Sequence, residues 1–222
     1  MTTFRAFRAF RAFRAFRVFR AFRVFLVFSI LLFLLTACGK GDGLPWEEDF
    51  SAPGAWKLES DAAARVTVED GALRISVLAP NQLAWASAGK DLRDFHLTVE
   101  ASQVAGPDDN EYGVLVRMQD PRHFYAFSVS GDGYFLVSRF VDGVRQPLGA
   151  DWTLSDAVHP GTGTNILEVV AQGNRLIFVV NGQQLVQVED DRFSHGDVGL
   201  YAGSFYEGGV EVQFDNLRVT AP

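Results

Sequence analysis

Asp108, Asp109, Asn110 and Glu111 set four oxygen-bearing side chains in a row. Carboxylates and side-chain amides are the donors that a hard cation such as calcium accepts, in sets of about six or more. The spacing is not that of an EF-hand loop, so a distant loop would have to complete the set. The run also reads as a solvated Gly-Pro-Asp-Asp-Asn-Glu turn. Asp109 and Glu111 stand two apart, and Glu211 and Asp215 stand four apart near the end of the chain. Cleavage of a glycosidic bond with retention needs two carboxylates about 5 Å apart. Residues i and i+2 of a strand have roughly that reach. For Asp215 the simpler expectation is that its side chain satisfies nearby backbone groups.

Aromatic rings supply a second chemistry. The apolar C–H face of a sugar stacks on a ring while polar neighbours bond its hydroxyls. Trp85, Tyr125, Tyr134, Trp152, Tyr201 and Tyr206 are available, although most aromatics of a β domain belong to its core. Arg117 is more pointed. Strict alternation places Gly113, Leu115 and Arg117 on one face of a strand. A guanidinium in the middle of a sheet calls for a ligand or for an acid on the next strand. Arg139 stands in a similar setting. The ligand-binding candidates are therefore Arg117, Tyr125, Tyr134, Arg139, Trp85 and Trp152.

Other chemistries find no support. His96, His123, His159 and His195 are scattered without paired metal spacing. There is no Gly-x-Ser-x-Gly elbow and no glycine-rich phosphate loop ahead of a helix. No cofactor is expected, with a calcium ion at residues 108–111 the one candidate.

The elements that must position these groups begin after a peculiar leader. Arginine recurs at every third residue from Arg5 to Arg23. On a helix that spacing drifts by about 60° per triplet, so no lasting amphipathic face results. From Val24 to Ala37 the chain is uncharged and apolar apart from Ser29 and Thr36. That length suits the apolar region of a signal peptide and falls short of the roughly 20 residues a membrane span needs. Leu35-Thr36-Ala37-Cys38 then resembles the lipobox of bacterial lipoproteins. The resemblance implies cleavage before Cys38 and lipid on Cys38, with the protein held at the cell membrane and facing outside the cytoplasm. Cys38 is the sole cysteine, so no internal disulfide competes for it. The expected organisation is a leader over 1–37, a lipidated cysteine and short glycine-rich tether over 38–45, and one domain over 46–222.

Removing the leader takes away seven arginines and no acid. The remainder carries 13 basic against 27 acidic residues, a net charge of −14. Such a surface argues against nucleic acid and suits cations or neutral ligands. From Asp49 onward the sequence alternates with period two between turn signals. Arg65–Glu69 and Ala72–Val77 flank Asp70-Gly71, Tyr134–Val141 precedes Asp142-Gly143, and Arg175–Val180 precedes Asn181-Gly182. About twelve or more short strands, spaced by roughly 8–12 residues, predict an all-β, antiparallel two-sheet sandwich.

Three stretches carry a further resemblance: "GPDDNEYGVLVRMQDPRHFYAFSVSGDGYFLVSRFVDG", "NILEVVAQGNRLIFVVNGQQLVQVED" and "GDVGLYAGSFYEGGVEVQFDNLRV". Their order of strands, Asn-Gly turn, Gly-x-Val-Gly-Leu strand and closing Phe-Asp-Asn strand resembles concanavalin A-like, or laminin-G-like, jelly-roll domains. The 3-keto-disaccharide hydrolases share this rhythm. The resemblance implies two sheets of about six strands, one of them concave, whose face or rim binds glycans in many relatives. The Glu-x-Asp-x-x-Glu motif of glycosidases on this fold has no copy here. The expected function is an exported, lipid-anchored surface protein with a glycan- or cell-wall-polysaccharide-binding sandwich. A glycoside hydrolase of related fold and a protein-interaction module are the alternatives. The expected partners are the membrane, through Cys38, and a glycan, with no nucleic acid; the oligomeric state is left open.

Overall fold

The computed structural model describes residues 43–222. The leader over 1–37 and Cys38 lie outside the described residues. Sixteen strands follow in chain order: β1 (Trp46–Glu48), β2 (Lys57–Leu58), β3 (Ala64–Glu69), β4 (Ala72–Val77), β5 (Gln82–Ser87), β6 (Phe95–Ala105), β7 (Asn110–Asp120), β8 (His123–Val129), β9 (Tyr134–Val141), β10 (Val144–Pro147), β11 (Thr153–Leu154), β12 (Asn165–Gln172), β13 (Arg175–Val180), β14 (Gln183–Glu189), β15 (Asp197–Ser204) and β16 (Val210–Thr220). They form two antiparallel sheets of eight strands. Sheet I runs β14-β13-β12-β6-β16-β4-β3 with β1 added to β16, and sheet II runs β10-β9-β8-β7-β15-β5-β2 with β11 added to β9. The extra strands beyond the expected six per sheet include short pieces, such as the two residues of β2 and of β11, that carry no alternation for a sequence to show.

The predicted turns hold. Asp70 and Gly71 (φ 53° and 74°), and Asn181 and Gly182 (φ 51° and 79°), both have the paired positive φ of a type I′ hairpin turn. Alternation then decides which side chains meet. Ile75, Leu97, Val99, Leu167, Val169, Phe178, Val212 and Phe214 of sheet I face Tyr112, Val114, Val116, Tyr125, Phe127, Leu200 and Ala202 of sheet II in one core. Phe127 and Phe178 meet edge to face across it, with ring centroids 5.4 Å apart.

The two outer faces differ. An antiparallel sheet normally turns one face to solvent and makes it polar. Sheet I follows this, with His96, Glu100, Glu168 and Gln213 between its core positions. Sheet II does not. Leu115, Phe124, Ala126, Phe140 and Tyr201 form a second apolar cluster, separate from the core, with Leu83, Trp85 and Met118 against it. Sheet II is thus apolar on both faces, and the cluster on its outer face is itself buried.

Two local expectations are corrected. Asn110 and Glu111 do not lie in a turn; they open β7. Arg117 does not continue the Gly113–Leu115 face, because the register of β7 on β8 breaks between Val116 and Asp120 and Arg117 takes φ 51°.

Candidate functional site

Pairing places Gly203 of β15 opposite Glu111 of β7, and Tyr201 opposite Gly113. A Cβ on Gly203 would lie 2.8 Å from Glu111 Cγ and 2.5 Å from Leu83 Cδ2, so this glycine gives the glutamate room to lie over the sheet. Arg145 of β10 donates from Nη2 to both Glu111 carboxylate oxygens, at 2.6 and 2.7 Å. The Glu111 side chain is 3% exposed and that of Arg145 is 25%. The phenol of Tyr201 hydrogen-bonds Ser128 Oγ and donates to Glu111 Oε2 at 3.3 Å. Burial, with the Glu111 charge added, pushes the Tyr201 phenol well above its ordinary range and keeps it a donor. Burial opposes the charge of Arg145, but Glu111, Tyr201 and Asp151 together more than offset it and the guanidinium pKa is raised. Its guanidinium sits 5.0 Å from the Phe140 ring centroid, and Phe140 stacks on Phe124 at 4.5 Å. Arg145 Nε and Ser138 Oγ are buried without a partner. The face thus combines a carboxylate, a guanidinium, a neutral phenol and hydroxyls with an aromatic floor.

One end of this face opens into a pocket of about 210 Å³, lined by Asp109, Ser130, Asp132, Tyr134, Trp152 and Phe205. Asp109 directly precedes β7, Ser130 follows β8, Asp132 lies in the β8–β9 turn, Tyr134 opens β9, Trp152 precedes β11 and Phe205 follows β15. Six residues from four connections and their strand ends therefore converge at one end of sheet II, two residues from Glu111. Trp152 meets Phe205 edge to face at 6.0 Å. Ser130 Oγ donates to the Asp132 carboxylate, with the Asp108 carbonyl at 3.1 Å as the competing acceptor. Rings for stacking and carboxylates for hydroxyls or positive groups are the equipment of a saccharide site.

The candidates named from sequence divide. Tyr134 and Trp152 come together in the pocket, and Trp85 joins the apolar cluster on the same outer face. Arg117, Tyr125 and Arg139 turn the other way and are corrected to structural roles. Arg117 is fully buried and donates to the Arg93 carbonyl at 2.9 and 3.2 Å and to the Phe193 carbonyl at 3.1 Å, with Asp94 at 3.5 Å. Burial pushes its pKa down. Tyr125 donates to Asp190 at 2.5 Å, and Arg139 Nη1 reaches the other oxygen of the same carboxylate at 2.5 Å. Asp190 follows β14, so this pair ties sheet II to the end of sheet I.

The four residues 108–111 do not converge on one cation. Asn110 is fully buried; its amide donates to Gln103 Oε1 and the Pro107 carbonyl, each at 2.6 Å, and accepts from Gly131 N. Asp108 accepts from Gln103, Asp109 lines the pocket, and Glu111 joins Arg145. Among the described residues no group of three or more His, Cys, Asp or Glu side chains is placed to hold a metal. Glu211 pairs with Arg74 at 3.3 Å on sheet I, and Asp215 accepts from Asn216 N as expected. The sequence reading missed Arg145, Ser128, Ser138, Asp132 and Phe205. A signal was present in His123–Val129, where apolar residues fill both alternating positions of a strand.

Two antiparallel jelly-roll sheets packed face to face define an all-β sandwich. Solved structures agree on the fold. Carbohydrate-binding module CBM66 from Bacillus subtilis is 15% identical, with 76% of this chain and 96% of that chain covered and a TM-score of 0.60. The β-glucanase of Bacillus licheniformis is 11% identical over 81% of this chain and 99% of that one, at a TM-score of 0.59. The GH43 protein BlXynB from Bacillus licheniformis is 14% identical over 79% of this chain and 39% of its own length, at 0.58. A search of curated proteins finds no match. A family model for the 3-keto-alpha-glucoside-1,2-lyase-like domain matches residues 43–220, and the chain belongs to that family.

Proposed function

We propose that this protein is an exported lipoprotein, anchored through lipid on Cys38, whose sheet II outer face binds a glycan outside the cytoplasm. The observation that carries the binding reading is the pocket of Tyr134, Trp152 and Phe205 opening beside the Glu111–Arg145 pair. The rings would stack a sugar, and the carboxylates and hydroxyls would bond its edge. Trp152→Ala and Tyr134→Ala should each weaken oligosaccharide binding about tenfold, with little change in melting temperature. Titration calorimetry on a glycan found by array screening checks this, and unchanged affinity in both variants would place the ligand elsewhere. Cys38→Ser should release the protein from the membrane fraction or block its processing. Attachment and processing that persist unchanged would refute the anchor.

A second reading is an enzyme that breaks a glucoside bond, as the family description suggests. It is favoured by the juxtaposition of a buried carboxylate and a phenol held in its protonated form, Glu111 and Tyr201. Mass spectrometry of the bound glycan separates the two readings. Intact ligand supports a binding module; cleaved ligand, with loss of cleavage in Glu111→Gln, supports the enzyme.

A further inference from the structure

The pocket's lining is chemically one-sided. It holds Tyr134, Trp152 and Phe205, the hydroxyl of Ser130 and the carboxylates of Asp109 and Asp132, and no lysine, arginine or histidine. Neither aspartate enters an ion pair among the described residues. Arg145, on the same face, is already paired with Glu111. Two carboxylates alone make no site. Here they line an open pocket beside three aromatic side chains. That is the combination which attracts a cation, through the negative faces of the rings and through charge. The net charge of −14 beyond the leader draws positive ligands toward the surface as well.

We infer that the pocket selects a positively charged saccharide, an amino sugar whose nitrogen is a free ammonium, over its neutral counterpart. The inference rests on the glycan reading above and narrows it. The sugar ring lies against Tyr134 or Trp152, and its ammonium donates to Asp109 and Asp132. Acetylation of the nitrogen removes both the charge and the ammonium donors, so the acetylated sugar keeps only the stacking.

The test is titration calorimetry of the purified protein with glucosamine oligomers, N-acetylglucosamine oligomers and glucose oligomers of equal length. The free-amine oligomer should bind about tenfold more tightly than either neutral one below pH 7. The preference should fade as pH rises past about 8, where an amine loses its proton, and it should weaken in salt. Asp109→Asn and Asp132→Asn should erase the preference, so that within each variant the glucosamine oligomer binds no more tightly than the neutral ones. Equal affinity for charged and neutral oligomers, with Trp152→Ala weakening both, overturns the charge selectivity and leaves the glycan reading standing. Failure of all three oligomers to bind overturns both.

Discussion

At the scale of single residues, the Glu111–Arg145 pair carries an asymmetric risk. Glu111 is the buried partner and Arg145 the partly exposed one. Arg145→Ala therefore strands a buried carboxylate and should destabilise the fold by about 3–5 kcal/mol in chemical denaturation. Glu111→Gln leaves a guanidinium that still reaches water and should cost less. Replacing both with apolar side chains of similar size should recover much of the loss. Arg117→Ala tests the corrected role of that residue. Two backbone carbonyls lose their donor, and the fold should lose about 3 kcal/mol or more while sugar binding per folded molecule stays unchanged. Loss of binding at unchanged stability would return Arg117 to the site. The sequence could not show which way Arg117 points, because alternation counts residues and one bulge reverses every later side chain. Tyr134 and Trp152 were named by residue type alone, as was Tyr125, and only the assembled sheets separate the pocket pair from the core residue. Arg145 and Glu111 were not legible as a pair, because they stand 34 residues apart and meet only once sheet II is assembled.

At the scale of elements, glycines set how closely the strands of sheet II approach. Gly113 lies in the middle of β7, and a Cβ there would stand 2.0 Å from the Phe127 carbonyl oxygen of β8. No rotamer relieves a clash with backbone. Gly113→Ala should therefore split the β7–β8 ladder and lower stability by more than the roughly 1 kcal/mol of an ordinary glycine-to-alanine change. Gly71→Ala meets no neighbouring atom but sits at φ 74°, so it should cost the smaller, conformational amount. Comparing the two by thermal unfolding separates space from backbone strain; equal losses would mean that β7 shifts to accept the methyl. The elements themselves were largely legible. Asp-Gly and Asn-Gly pairs fix hairpin turns by their own conformational preferences, and alternation fixes which side faces the core. Sheet membership was not legible. β6 pairs with β12 and β16, whose residues follow it by about seventy and more than a hundred positions, and no local pattern encodes such partners.

At the scale of the whole molecule, three buried tyrosines make the fold sensitive to alkali. Burial pushes the Tyr112 phenol up from 10.0 to about 12, and burial together with nearby carboxylates raises Tyr125 and Tyr201. A phenol whose folded pKa lies above its unfolded value stabilises the fold fully at pH below the unfolded value. That contribution is lost as pH climbs from the unfolded toward the folded value. For Tyr112 the difference corresponds to about 3 kcal/mol, a sizeable part of the 5–15 kcal/mol that holds a typical domain together. The protein should therefore unfold cooperatively above about pH 10, and the phenolate absorbance of these three side chains should rise together with the loss of near-ultraviolet circular dichroism. Tyr112→Phe should lower stability at neutral pH, because Asn165 loses its hydrogen bond to the phenol oxygen. The same variant should lose stability less steeply in alkali than the parent, because one obligatory ionisation is gone. Appearance of all three phenolates while the tertiary signal stays intact would contradict this account, since it would mean that water reaches Tyr201 beside Glu111. The outcome also bears on the site. A Tyr201 that ionises only with unfolding remains a hydrogen-bond donor throughout the working range of pH. Glu111 then keeps a fixed neutral donor on one side and the Arg145 cation on the other, which together hold its carboxylate in one orientation on the outer face of sheet II.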